Sequence, residues 1–397
     1  MLEARDLLGP MSGTRVTNRQ RMIIEIMIKA DRQSRIARRS GVSQALVSTA
    51  VQELTEQGVV DGTRNRSGQV RLAPARGVAI GVEISHNQVV VVARRVDQPY
   101  DRFVPRHHDG GANWGMERLL RTITDMITEA VEETGQTMAD VVSAGVSVPR
   151  MIDPRTGRFT RPVLLPWHDH DDPAAELSGI LGVPVAIDND ANLGAMAEQI
   201  YGMDEPAETV VYVKATTGVG AGIMIGDMVY RGHRGMAGEI GHLTIDRDGD
   251  VCECGGRGCL DTIVGADALM TQVRTSHRGT AADVPQNLLS LIEKAHAGDA
   301  VCTRVLRDAG RTLGIALAQL CNLVNPRLIV LGGELANGKD HVLTPCEQEL
   351  HRYALSGTVD RSAGFTVRLS QLTPHAEALG ALILGLRSRS NEDRQPA

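Results

Sequence analysis

The chain has 397 residues, 42% of them apolar and 23% charged. That is too long for one ordinary domain of about 100–200 residues and too apolar for a disordered chain. No apolar run approaches the roughly 18–20 residues of a membrane span, and the first ten residues, MLEARDLLGP, lack the apolar core of a secretory signal, so a cytoplasmic protein is expected. Aromatic residues make up 3%, which argues against a reader that stacks many bases on rings. The net charge of −6 hides a split: residues 1–76 carry 13 Lys/Arg against 7 Asp/Glu, and the rest of the chain 29 against 41. A basic head on an acidic body suits either a polyanion-binding unit or a solvated charged face.

In chain order, residues 17–72 read as a helical unit with a small hairpin. Thr17 or Asn18 can cap a first helix, with Met22, Ile23, Ile26 and Met27 on one face. A short helix over 34–40 ends at Gly41-Val42, a tight turn with Gly where a positive φ is wanted. Ser43 caps a third helix to about residue 57, with Val47, Val51 and Leu54 facing inward. Helix, Gly turn, helix is the helix-turn-helix plan, whose second helix enters the major groove. Its outward positions, Ser43, Gln44, Ala45, Ser48 and Thr49, carry small or amide groups that fit base edges. Arg38 and Arg39 precede it. Val59-Val60 and 70–72 flank a polar tip bearing Arg64 and Arg66, a wing whose arginines reach phosphate or the minor groove. Turn, polar face, basic wing and charge split together select duplex DNA as the partner.

From residue 77 the pattern changes to strands, crossover helices and Gly-rich turns, an α/β body. Strands are expected over 78–84, 88–93, 141–148, 183–187, 209–213, 223–230 and 328–331. Helices are expected over 117–134, 192–201, 309–325 and 375–388. The Gly-rich stretch 216–222 reads as a turn. Two such strand turns, about 140 residues apart, suggest a duplicated, two-lobed body with a cleft.

Cys252, Cys254 and Cys259, with His242 before them, supply three thiolates and one imidazole, the donor set of a closed tetrahedral zinc site. A closed site makes the metal structural, since a catalytic one keeps an open position. Cys302, Cys321 and Cys346 stand singly and read as core or surface thiols.

These residues carry a resemblance. Asn189-Asp190-Ala191-Asn192, Gly238-Glu239-Ile240-Gly241-His242 and the CxCGxxGCxD pattern over 252–261 resemble the ROK family of sugar kinases and sugar-responsive repressors. With the head, the chain looks like the repressor branch, which includes xylose and N-acetylglucosamine operon repressors. The resemblance implies a winged helix-turn-helix over 1–75 and a two-lobed, actin-like and hexokinase-like body. One lobe would span 76–195 with the C-terminal helix, the other 196–374 with the zinc motif, and 389–397 would be a disordered tail. It implies sugar contacts from Asn189, Asp190, Glu239 and His242, with Asp190 the vestige of the kinases' general base. Asp261 stands where the family has a longer Glu, Arg150 where it has Gly, and residues 161–167 lack its usual Asn, so the pocket floor is expected to differ.

The kinases' first phosphate loop reads DxGGT. Here it is Glu83-Ile84-Ser85-His86-Asn87, without glycine, while the second loop, 217–222, and Gly332-Gly333 are intact. Half a nucleotide site leads to an expectation of no enzyme. The expected function is a sugar-responsive regulator, most simply a repressor, acting on an operator as a homodimer or homotetramer and holding structural zinc. The alternatives are an active sugar kinase with an added head and a zinc-stabilised interaction protein.

Overall fold

The computed structural model describes residues 1–9, 17–61, 68–160, 167, 171–276 and 284–389. They form two compact units, one from Met1–Leu193 with the segment from Glu377 onward, the other Gly194–Ala376.

The first unit opens with helices Asn18–Ile28, Gln33–Ser40 and Gln44–Glu56. Thr17 and Gln20 form a reciprocal capping box at the first. Gly41 ends the second at φ 67°, the left-handed conformation that a glycine adopts without a Cβ penalty. Ser43 caps the third through the Leu46 N–H. Met22, Ile23, Ile26, Met27, Val47, Val51 and Leu54 are all buried, so the helical ladder read from the sequence lies in the core of this head, joined there by Ile36. Val60–Asp61 pairs antiparallel with Arg71–Leu72. Arg64 and Arg66, expected on the wing, lie outside the described residues, as do 161–166 and 390–397. One pairing at the head was not anticipated. Leu2–Glu3 pairs parallel with Ala75–Arg76, and the following turn of helix buries Ala4 and Leu8.

Beyond the head lies a five-stranded sheet. Val104–Asp109, Gln88–Arg95 and Val78–Ile84 run antiparallel in that order, and Val141–Val148 and Val185–Asn189 add in parallel. The two central strands, Val78–Ile84 and Val141–Val148, are buried along their full length. The helix Met116–Glu133 covers the sheet with Leu119, Ile123, Ile127, Ala130 and Val131.

The second unit repeats the plan. Met228–Val229, Val219–Ile225 and Thr209–Ala215 run antiparallel, and Leu328–Gly332 and Thr366–Leu369 follow in parallel. Numbered within each five-stranded sheet, both have the order 3-2-1-4-5, so the duplication inferred from the Gly-rich turns is present strand for strand. The stretch 216–222 is not all turn: Val219 already pairs with Ala215, and the strand runs to Ile225. The helix Ala300–Val324 buries Val305, Leu306, Ala309, Leu313, Leu317 and Leu320 at three- and four-residue spacing, packed against Asp340–Tyr353. Cys302, Cys321 and Cys346 are buried here, and burial pushes the Cys321 thiol up to about 12. No helix among the described residues is long and apolar enough to cross a membrane.

Candidate functional site

On the helix Gln44–Glu56, the side opposite Val47, Val51 and Leu54 is open. Ser43, Gln44, Ala45, Ser48 and Thr49 are exposed, and so is Leu46, at 53%. Leu46 was missed in the sequence reading. Its position one residue before Val47 takes it off the buried ladder, which was the available signal. Thr49 Oγ1 donates to the Ala45 carbonyl at 3.2 Å. Arg38 is exposed on the neighbouring helix. Arg39 corrects the expectation: it is 8% exposed, and its guanidinium is ion-paired with Glu25 at 3.1 Å and Asp31 at 2.7 Å. One residue along a helix turns a side chain by about 100°, which carries Arg39 into the head while Arg38 stays out.

Asn189 ends a strand of the first unit and Asp190 begins the helix Asp190–Ile200. The turn is internally tied. Asp190 accepts from the Ala191 N–H at 2.8 Å, Asn189 accepts from the Asn192 N–H and donates to the Arg150 carbonyl at 3.3 Å. Arg150 is 7% exposed, with its guanidinium 4.0 Å from the Phe159 ring centre. The Arg150 side chain is therefore folded onto an aromatic ring.

Glu239, His242 and Asp261 belong to the second unit. Glu239 precedes the turn Ile240–His242, and the Gly238 carbonyl accepts from Ala221 N–H, which ties this loop to the strand Val219–Ile225. Asp261 Oδ1 accepts from the Val219 N–H at 2.8 Å, and its other oxygen lies 4.0 Å from His242 Nδ1. Burial pushes the Asp261 carboxyl above its ordinary range, against the pull of the Val219 N–H and His242. The shorter acid thus sits on the Gly-rich strand itself.

His242, Cys252, Cys254 and Cys259 present one ligand atom each, all within 4.8 Å of one another. Cys254 Sγ lies 3.7 Å from Cys259 Sγ, and Cys252 Sγ 3.7 Å from His242 Nδ1. A disulfide would need about 2.05 Å, whereas a tetrahedron with metal–sulfur bonds of about 2.3 Å has edges of about 3.8 Å. The donors therefore fit a tetrahedral metal ion. Backbone bonds shape the loop: Cys252 N–H to the Gly256 carbonyl, Gly258 N–H to that of Asp250, Leu260 N–H to that of Leu243. Gly258 has φ 63°, and a Cβ there would lie 1.4 Å from the Asp246 carbonyl oxygen, so no other residue fits. Without a cation, burial and the neighbouring thiols push Cys259 up to about 12. A bound cation reverses that balance and holds the sulfurs as thiolates.

The stretch matching the first phosphate loop closes on itself. Ser85 N–H and Oγ both donate to the Gln88 carbonyl, Gln88 N–H donates to Ser85 Oγ, and the Asn87 carbonyl accepts from Gly110.

Two units with the same 3-2-1-4-5 sheet, one carrying a Cys3His cluster, define an α/β protein of the actin-like class. Residues 114–388 match the model described as the ROK family, and the chain belongs to that family. It is 27% identical over 375 residues to the xylose repressor of Bacillus spizizenii (strain ATCC 23059 / NRRL B-14472 / W23), covering 91% of this chain and 93% of that one. It is 31% identical over 283 residues to the glucokinase of Halalkalibacterium halodurans, covering 68% and 83%. Its fold is shared by a ROK family transcriptional regulator described as a homologue of the Escherichia coli MLC protein, with TM-score 0.69, 20% identity, and coverage of 93% and 96%.

Proposed function

We propose that this chain is a sugar-responsive transcriptional repressor whose N-terminal head binds operator DNA and whose body binds a sugar or sugar derivative. The observation that carries the reading is the exposed polar face of Gln44–Glu56, built on a basic head that precedes a ROK body. The relation to a xylose repressor over nine-tenths of both chains supports it. The head over 1–75 is read as a winged helix-turn-helix, with Ser43, Gln44, Ala45, Leu46, Ser48 and Thr49 toward base edges and Arg38 toward phosphate. Asn189, Asp190, Glu239, His242 and Asp261 are read as sugar ligands, since carboxylates, amides and imidazole bond vicinal hydroxyls. The metal is read as structural zinc, with four protein donors and no open position. The active form is read as a homo-oligomer that meets a pseudopalindromic operator.

Gln44→Ala should weaken binding to the cognate operator by about 1–3 kcal/mol if the amide makes a bidentate base contact, with a smaller effect on random duplex. Equal losses on both DNAs would make Gln44 a backbone contact. Induction requires the sugar to bind the DNA-free arrangement better than the DNA-bound one. Titrating monosaccharides, amino sugars and their phosphates into the protein–operator complex should release DNA with at least one of them. A flat response across the panel would remove the inducer model.

The relation to a glucokinase favours a second reading, an active ROK kinase with an added head. Against it, the Ser85 and Gln88 amides are engaged within their own turn rather than directed at a phosphate. Formation of a sugar phosphate from ATP by the purified protein decides between the two.

A further inference from the structure

Arg39, displaced from the outer surface, belongs to a buried charged junction. Glu25 lies on the inner face of the helix Asn18–Ile28 and is 4% exposed. Its Oε2 accepts from Arg39 Nε at 3.1 Å, and its Oε1 accepts from Arg387 Nε at 2.9 Å. Arg39 also donates to Asp31 Oδ2 at 2.7 Å and to the carbonyls of Glu25 and Lys29. Arg94, 1% exposed on the strand Gln88–Arg95, donates to the carbonyls of Met27 and Ile28 at 2.5 and 2.9 Å. Asp31 in turn accepts through its carbonyl from the Val70 N–H, beside the hairpin. Four segments meet here: the consecutive helices Asn18–Ile28 and Gln33–Ser40 of the head and, distant from them in sequence, a strand of the body sheet and the C-terminal helix Ala376–Ser388.

That last helix has no slack of its own. A Cβ at Gly81 would lie 1.9 Å from the Ala378 carbonyl oxygen, and one at Gly145 2.0 Å from that of Ala381. Its backbone therefore rests directly on the two central strands of the first sheet. It begins where the chain leaves the second unit, at Ala376, and ends one turn after Gly385 with Arg387 on Glu25.

We propose that the Glu25–Arg387 pair, with Arg39 and Arg94, is a clamp by which the C-terminal helix and body sheet fix the aim of the recognition face. These are positioning residues, and none of them contacts DNA. The inference rests on the reading of the head as a paired operator reader. A buried carboxylate held by two guanidinium groups is directional as well as strong, so it fixes an orientation that a packed apolar contact would leave looser. A fixed head makes a paired reader demanding about the separation of its half-sites. A loosened head reads the same bases while tolerating changed separations.

The test uses the full-length chain. Duplexes enriched by the wild-type protein from a random-sequence library provide the probe, together with versions carrying one to five extra base pairs between the half-sites. Arg387→Met should keep metal content and the circular dichroism spectrum. It should lose about tenfold or more affinity for the enriched duplex and most of the preference against the lengthened ones. Arg387→Lys retains a cation beside Glu25 and should restore part of that preference. An Arg387→Met protein with the wild-type spacing preference would overturn the clamp, and so would a uniform loss on every duplex with no change in preference. If Arg387→Met does not fold, the Arg387→Lys spacing profile decides alone: a profile identical to wild type in a protein of lower affinity overturns it. Failure of the wild-type chain to enrich any duplex would instead sink the operator-binding reading itself.

Discussion

Cys254→Ala should abolish metal binding at the Cys3His cluster and loosen the loop from Leu243 to Leu260, with a lower thermal midpoint and no metal in the purified chain. The side chain of Cys254 is exposed and fills no core space, so its removal leaves no cavity to account for lost stability. What it removes is one corner of a four-donor site. Structural zinc contributes about 10–16 kcal/mol of apparent binding free energy in small zinc-folded peptides near neutral pH, and three-donor sites retain only part of that. The loss should spread. The His242 carbonyl is within 3.7 Å of Cys259 Sγ, Leu260 N–H bonds the Leu243 carbonyl, and Asp261 follows directly with its bond to Val219. Metal, loop and the Glu239–His242 turn are thus one cooperative piece, and sugar binding should weaken with metal content. Metal analysis with thermal denaturation checks this, and a strong chelator should reproduce it in the wild-type chain. Full metal content with an unchanged midpoint would contradict the ligand assignment.

Local patterns were readable and distant ones were not. The head's core follows from Met22, Ile23, Ile26 and Met27 recurring at helical spacing, and the metal cluster from three cysteines within eight residues of sequence. Both signals lie within a few turns of chain. The strand Val104–Asp109 escaped notice because it is an edge strand of sequence VPRHHD, half-exposed to exposed throughout, with no apolar alternation. Thr366–Leu369, at the edge of the other sheet, has the same difficulty. The N-terminal pairing of Leu2–Glu3 with Ala75–Arg76 spans about seventy residues and involves two residues on each side, too short for any periodicity. Arg39 failed for a different reason. Beside Arg38 it reads as part of a basic surface, and only carboxylates 8 and 14 residues away, on another helix and the turn after it, place it inside. The sequence matched the family's Asp261 position but could not show that the shorter acid bonds the Val219 amide.

Glu25→Ala should destabilise the head by about 3–5 kcal/mol, because it leaves the half-buried Arg387 without its carboxylate and the buried Arg39 with Asp31 alone. Burial by itself raises the Glu25 carboxyl, but Arg387 and Arg39 outweigh it and hold the group below the ordinary carboxylate range. A depressed folded value gives stability that is complete above the unfolded carboxyl value and is lost as pH falls through the folded one. The difference between wild type and mutant should therefore be largest near neutral pH and shrink in acid, as the wild-type carboxyl takes up a proton. Glu25→Gln keeps the size and loses the charge, so it should show the same pH trend. Because a chain of two units need not unfold in one step, amide hydrogen exchange in Asn18–Ile28 and Gln44–Glu56 is the measurement that isolates the head. Faster exchange in those helices, with the sheet strands Leu328–Gly332 and Thr209–Ala215 unchanged, is the expected pattern. Unaltered exchange in the head at neutral pH would mean that the aliphatic packing around Met22, Ile26 and Met27 holds it in place without the charges.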